Sequence, residues 1–130
     1  MKKTKKNNKG FSLVELIVVV LIMGIIAVAL APQVMKWVGT SRENSDANTA
    51  KDIKSSINIA LADAQGKGHT VVECTDLEFT EANMTDTNVG TCSAEIREVM
   101  GGDYPKKSDK TVYKITITKI ADNSYKVEVE

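Results

Sequence analysis

The chain reads as an α+β protein, with a long N-terminal α-helix, apolar in its first half and amphipathic in its second, packed on a small antiparallel β-sheet. Three observations predict this. Leu16 to Ala31 contains no polar side chain, and the apolar run continues to Met35 apart from Gln33. Ala50, Ile53, Ile57, Ala60 and Ala64 then recur at steps of three, four, three and four, the spacing of one helix face, and Leu61 widens the stripe. In the last twenty residues Tyr113, Ile115 and Ile117, and again Tyr125, Val127 and Val129, alternate with polar residues as half-buried strands do.

The apolar run is long enough to cross a membrane. If Phe11 to Met35 is helical, its 25 residues reach roughly 37 Å at about 1.5 Å each, against a hydrocarbon core of about 30 Å. Lys36 and Trp37 follow where an interfacial anchor belongs. Five lysines, Lys2, Lys3, Lys5, Lys6 and Lys9, precede the run with no acidic residue among them. They outweigh Lys36 and Arg42 after it and predict an N-terminus held in the cytoplasm, with the rest of the chain outside. Glu15 is the anomaly, because a carboxylate in such a run costs about 2.5–3.5 kcal/mol near the bilayer centre and so calls for a specific partner.

Gly10-Phe11-Ser12-Leu13-Val14-Glu15-Leu16, behind a short lysine-rich leader, resembles the leader and first helix of a type IV pilin. The motif covers roughly the first 40 residues. The resemblance implies cleavage after Gly10 by a prepilin peptidase, N-methylation of Phe11, and pairing of Glu15 with the new terminal amine of a neighbouring subunit during assembly. It implies a leader over 1–10, a membrane or filament-core helix over 11–38 and an extracellular head over 39–130. The implied partners are other copies of the chain in a homopolymer, the peptidase, the pilus assembly platform with its ATPase machinery, and the membrane before assembly. Elementary electrostatics agrees. Cleavage creates a cation four residues from Glu15, at a helix start that itself favours negative charge, and a charge pair held among apolar helices fixes register because a misplaced subunit leaves a buried charge unpaired. Gly24 and Pro32 sit where the family often has helix-weakening residues. Gly24 lowers helix stability by about 1 kcal/mol and Pro32 removes the amide that would bond to Val28, so a bend without a stop is expected.

Two other readings compete. A secretory signal peptide would use Ala29-Leu30-Ala31 as its cleavage pattern, but Pro32 would then follow the cut and Glu15 would interrupt the apolar segment. A plain single-pass anchor leaves Gly10 to Glu15 without a reason.

Composition bounds the rest. Of 130 residues, those beyond the anchor suffice for one compact domain. Taking the five leader lysines from the 17 basic residues leaves 12 against 17 acidic ones, a net charge of −5 after cleavage. Such a domain is a poor nucleic-acid binder, and none is expected as a partner. Cys74 and Cys92 fit an oxidising exterior as a disulfide worth about 3 kcal/mol, with two buried free thiols as the alternative.

Between helix and hairpin the signals are weaker. Gly66 and Gly68 end the amphipathic helix, Val71, Val72 and Cys74 suggest a short strand, and Asp76 to Thr91 reads as an exposed polar loop. Ser93 is placed to cap a helix through Met100, with Glu95 in its first turn, Ile96, Val99 and Met100 on one face and Gly101 as its stop. Gly102 to Asp109 reads as a polar connection. In the hairpin both apolar sets are odd-numbered, so facing residues must have an even sum. This predicts Ile117 opposite Val127, excludes a two-residue turn at Asp122-Asn123, and favours Ala121-Asp122-Asn123 with Asn123 at positive φ. No cofactor, metal or catalytic constellation is expected. His69 is the lone histidine and reads as a loop residue; Asp86 with Asn83 and Asn88 lacks calcium-loop spacing; Asn83-Met84-Thr85 is a sequon too short to carry weight; and nucleotide, zinc and nucleophile motifs are absent.

Overall fold

A computed structural model of the chain describes residues 10–122 and 124–130. In order these form α1 (Leu13–Gly66), β1 (Cys74–Glu78), α2 (Asp86–Val89), α3 (Ser93–Met100), β2 (Lys114–Ala121) and β3 (Ser124–Val129). The chain divides into two units, Met1–Thr40 and Ser41–Glu130.

The second unit holds the core. Ile53, Ile57, Ala60, Leu61 and Ala64 are the buried residues of α1, the stripe that the 3.6-residue period marks out. They join Tyr113, Ile115, Ile117 and Val127 in one apolar cluster, with Ala50, Tyr125 and Val129 packed at its margin. The sheet is antiparallel in the order β1-β2-β3. Asp46 fastens the connection before β2 to the helix. Its carboxylate accepts hydrogen bonds from Ser108 N at 2.9 Å and Ser108 Oγ at 2.8 Å, and its backbone carbonyl accepts one from the Tyr113 hydroxyl at 3.1 Å.

Ile117 faces Val127, as the parity of the two apolar sets requires, but the turn differs from the expected one. The ladder runs from Ile115↔Val129 to Lys119↔Tyr125 and closes on Ala121↔Ser124, with a register shift between Lys119 and Ala121. That bulge at Ile120 changes the sum from even to odd, so only Asp122 and Asn123 remain between the strands. Asn123 itself, expected at positive φ, lies outside the described residues.

The segment read as Val71 to Cys74 begins its strand only at Cys74. The Val72 amide donates instead to Val89 O at 3.0 Å, and Thr70 O accepts from the Cys92 amide at 3.2 Å. A register shift between Cys74 and Leu77, with Asp76 at φ 51°, puts two half-buried apolar residues three apart and removes the period-two signal.

The region 76–91 is not an exposed loop. It contributes Phe79, Met84 and Val89, each fully buried, and includes the short helix α2. Their spacing of five matches neither helix nor strand; Phe79 and Met84 reach the core from irregular backbone and Val89 from the last residue of α2. Ser93 is the first residue of α3 and not its cap; Cys92 holds the cap position, and the Ser93 hydroxyl bonds Asp86 Oδ1, joining α3 to α2. Gly101 ends α3 in the left-handed region at φ 60°, as its sequence position implies. On the expected apolar face Ile96 is buried and Met100 half-buried, whereas Val99 is exposed.

Candidate assembly site at the start of helix α1

In the first unit every described residue is solvent-exposed, and these residues include Phe11 at 87% and the large apolar side chains from Leu13 to Val38. An 18-residue stretch of α1 near the N-terminus has a mean hydropathy of 3.1, so this helix is long and apolar enough to cross a membrane. An apolar surface of this extent cannot face water, and among the described residues nothing covers it.

Ser12 and Glu15 close the helix start reciprocally. The Val14 amide donates to Ser12 Oγ at 3.2 Å, and the Ser12 amide donates to Glu15 Oε2 at 3.0 Å. This is a capping box: a serine at the cap accepts from the first turn while a glutamate three residues on returns to the cap's own amide. Two amides that a helix start leaves without partners are thereby satisfied. The expected anomaly of Glu15 is thus partly resolved inside the chain, and the Ser-x-x-Glu spacing ahead of an apolar run was the signal for it. No partner for Oε1 occurs among the described residues. The leader lysines Lys2, Lys3, Lys5, Lys6 and Lys9 lie outside the described residues. Gly10 and Phe11 are exposed and precede the helix.

Gly24 and Pro32 both lie within α1, which stays helical through them. A Cβ added at Gly24 would meet nothing within 4 Å. Packing among the described residues therefore does not require a glycine there.

Cys74 and Cys92 are free thiols in this structure, Cys74 half-buried and Cys92 buried with its Sγ–H donating to Val89 O at 2.8 Å. Burial, and after it the charges of Glu95, Cys74 and Asp86, pushes the Cys92 thiol up to about 11, and burial also raises Cys74. The thiolate is the reactive form, so both sulfurs are chemically quiet in this conformation.

One charged cluster had no signature in the sequence. His69 is no isolated loop residue: its Nδ1 lies 2.9 Å from Glu95 Oε1, and Lys67 Nζ lies 3.5 Å from the same oxygen and 2.7 Å from Asp63. The Glu95 side chain is only 4% exposed.

Residues 5–31 match the family model of the prokaryotic N-terminal methylation motif. A long apolar-then-amphipathic helix on a three-stranded antiparallel sheet, opening on that motif, supports the resemblance to type IV pilins. It is similar to the type IV major fimbrial protein FimA of Dichelobacter nodosus, at 25% identity over 105 residues, which is 81% of this chain and 67% of that protein. No solved structure matches it.

Proposed function

We propose that the chain is a structural subunit of a type IV pilus, stored in the membrane through its N-terminal helix and polymerised through that same helix. The observation that carries this reading is the pairing of a wholly exposed apolar helix, residues 13–38, with one carboxylate at its start whose second oxygen has no partner among the described residues. A prepilin peptidase cuts between Gly10 and Phe11, and Phe11 becomes the N-methylated terminus. The five lysines stay in the cytoplasm with the leader, which holds the head outside.

Assembly then follows from charge and burial. Glu15 Oε2 stays on the Ser12 amide, so the carboxylate is held at the helix start with Oε1 turned to a second donor. The amine of a neighbouring Phe11 is that donor. Among apolar helices, a subunit out of register leaves both charges buried and unpaired, which costs several kcal/mol. The pair therefore specifies position more than it adds stability. Gly24 and Pro32 make the helix locally compliant, and the open space at the Gly24 Cβ position, with no described residue within 4 Å, fits close approach of another subunit's helix there. In an oxidising exterior Cys74 and Cys92 form a disulfide that joins β1 to the start of α3.

In this reading the head, residues 39–130, forms the filament surface and serves adhesion, aggregation or twitching motility. Similarity to a major fimbrial protein supports a main subunit over a minor pilin or a pseudopilin of a secretion or DNA-uptake machine. N-terminal sequencing of the membrane form tests the processing: Phe11 is expected, and Pro32 would show signal-peptidase cleavage instead. Electron microscopy of cells expressing the protein tests the polymer, since a tethered binding domain that never polymerises gives no filaments containing it.

A further inference from the structure

The segment that leaves α1 lies along the segment that enters α3 as a continuous seam. Thr70 N donates to Thr91 Oγ1 at 2.8 Å, Val72 N to Val89 O at 3.0 Å and Cys92 N to Thr70 O at 3.2 Å. The two backbones pass so closely that a Cβ on Gly90 would sit 2.9 Å from Val72 N and closer still to Thr70 O. The buried Cys92 thiol belongs to this seam. Its Lys67–His69 end is closed by charges and not by backbone: His69 and Lys67 both converge on Glu95 Oε1, while the buried Oε2 has no partner among the described residues.

We propose that Lys67, His69 and Glu95 form an acid-released latch that holds this seam shut over Cys92. With Glu95 ionised, one buried carboxylate oxygen accepts from both basic side chains facing it. Protonation of Glu95 removes the anion buried in the cluster, on which the Lys67 and His69 contacts converge. Asp63 bonds Lys67 from solvent, where its attraction is screened. Asp86 faces the cluster only from beyond Ser93, and Cys92 is neutral. Burial opposes ionisation of Glu95, but the His69 hydrogen bond and the charges of His69 and Lys67 outweigh it and hold its carboxyl below the ordinary range. A carboxylate with a lowered folded-state value contributes stability above its unfolded value and loses it as pH falls through the folded one. The seam therefore opens as pH falls below the ordinary glutamate value of about 4.3 and through the lowered one, and stays shut at neutral pH.

The test uses the full chain in detergent micelles, reduced, with Cys74→Ser so that Cys92 is the lone thiol. The probe is 4,4′-dithiodipyridine, a disulfide that accepts a thiol in acid and releases thiopyridone. Between pH 6 and pH 3 the rate at Cys92 is expected to rise at least tenfold, with the near-ultraviolet dichroism of the tyrosines unchanged. Glu95→Gln keeps an acceptor for His69 but cannot titrate, so its rate is expected to be flat over the same range. His69→Gln, on an exposed side chain that folding tolerates, is expected to raise the rate at pH 6 towards the parent's acid value. A Glu95→Gln variant that follows the parent's pH profile, a His69→Gln variant as inert at pH 6 as the parent, or a parent inert down to pH 3 overturns the latch.

Discussion

Phe79 gives the sharpest stability test, because it sits in the stretch that polarity alone assigns to solvent. Its side chain is 1% exposed, its ring lies 5.1 Å from that of Tyr104 at 56°, and its amide donates to Tyr113 O at 2.8 Å. Phe79→Ala keeps the backbone bond and removes the ring from a closed core. Truncating a buried phenylalanine costs about 3–5 kcal/mol through lost transfer energy and the cavity left behind, and the aromatic pair adds about 0.5–1.5 kcal/mol. In a unit of this size each kcal/mol lowers the melting temperature by about 4–8 °C. A drop of at least roughly 12 °C is therefore expected in the fragment 41–130, followed by near-ultraviolet dichroism. An exposed loop residue would change stability by less than about 0.5 kcal/mol. A melting temperature within about 4 °C of the parent's would refute the burial of this stretch.

Two further outcomes follow from the same packing. Ile57→Asp places a charge with no counter-ion at a fully buried position of the α1 stripe, and a cost above about 2 kcal/mol should leave fragment 41–130 unfolded at 37 °C; unchanged melting would remove the contact between stripe and sheet. For the cysteines, mass spectrometry of the exported protein is expected to find Cys74 and Cys92 two hydrogens lighter than the dithiol, and quantitative alkylation without reductant would end the proposed disulfide.

The legible parts of the fold are those whose burial is periodic. Ile53, Ile57, Ala60 and Ala64 announce α1 because a helix in contact with one layer repeats every 3.6 residues, and Ile115, Ile117 and Val127 announce the hairpin because strands repeat every two. Parity fixed Ile117 opposite Val127, yet the turn could not be read from it, because a single bulge at Ile120 costs little and reverses the sum. The bulge in β1 hid that strand in the same way. Phe79 and Met84 were illegible as core because irregular backbone imposes no spacing on what it buries, and Val89 because α2 is a single turn, too short to repeat a period. At the candidate assembly site, Glu15 stood out through its charge, while its hydrogen bond to Ser12 followed from a three-residue spacing that is equally local. The Glu95 cluster was beyond reach, since His69 and Glu95 are brought together only by the fold.

In the proposed function Glu15 is the element that makes a membrane-stored helix polymerise, and the direct test is Glu15→Ala as the sole pilin in the cell. Removing a carboxylate from an apolar span makes insertion easier, by up to about 2.5–3.5 kcal/mol at the bilayer centre and less near its edge. The subunit is therefore expected to be processed to Phe11 and to accumulate in the membrane at the parent's level. Filaments seen by electron microscopy should be lost or sharply reduced, because the incoming amine has no partner. Normal filaments built from the Glu15→Ala subunit would contradict the pairing and leave only the membrane assignment standing.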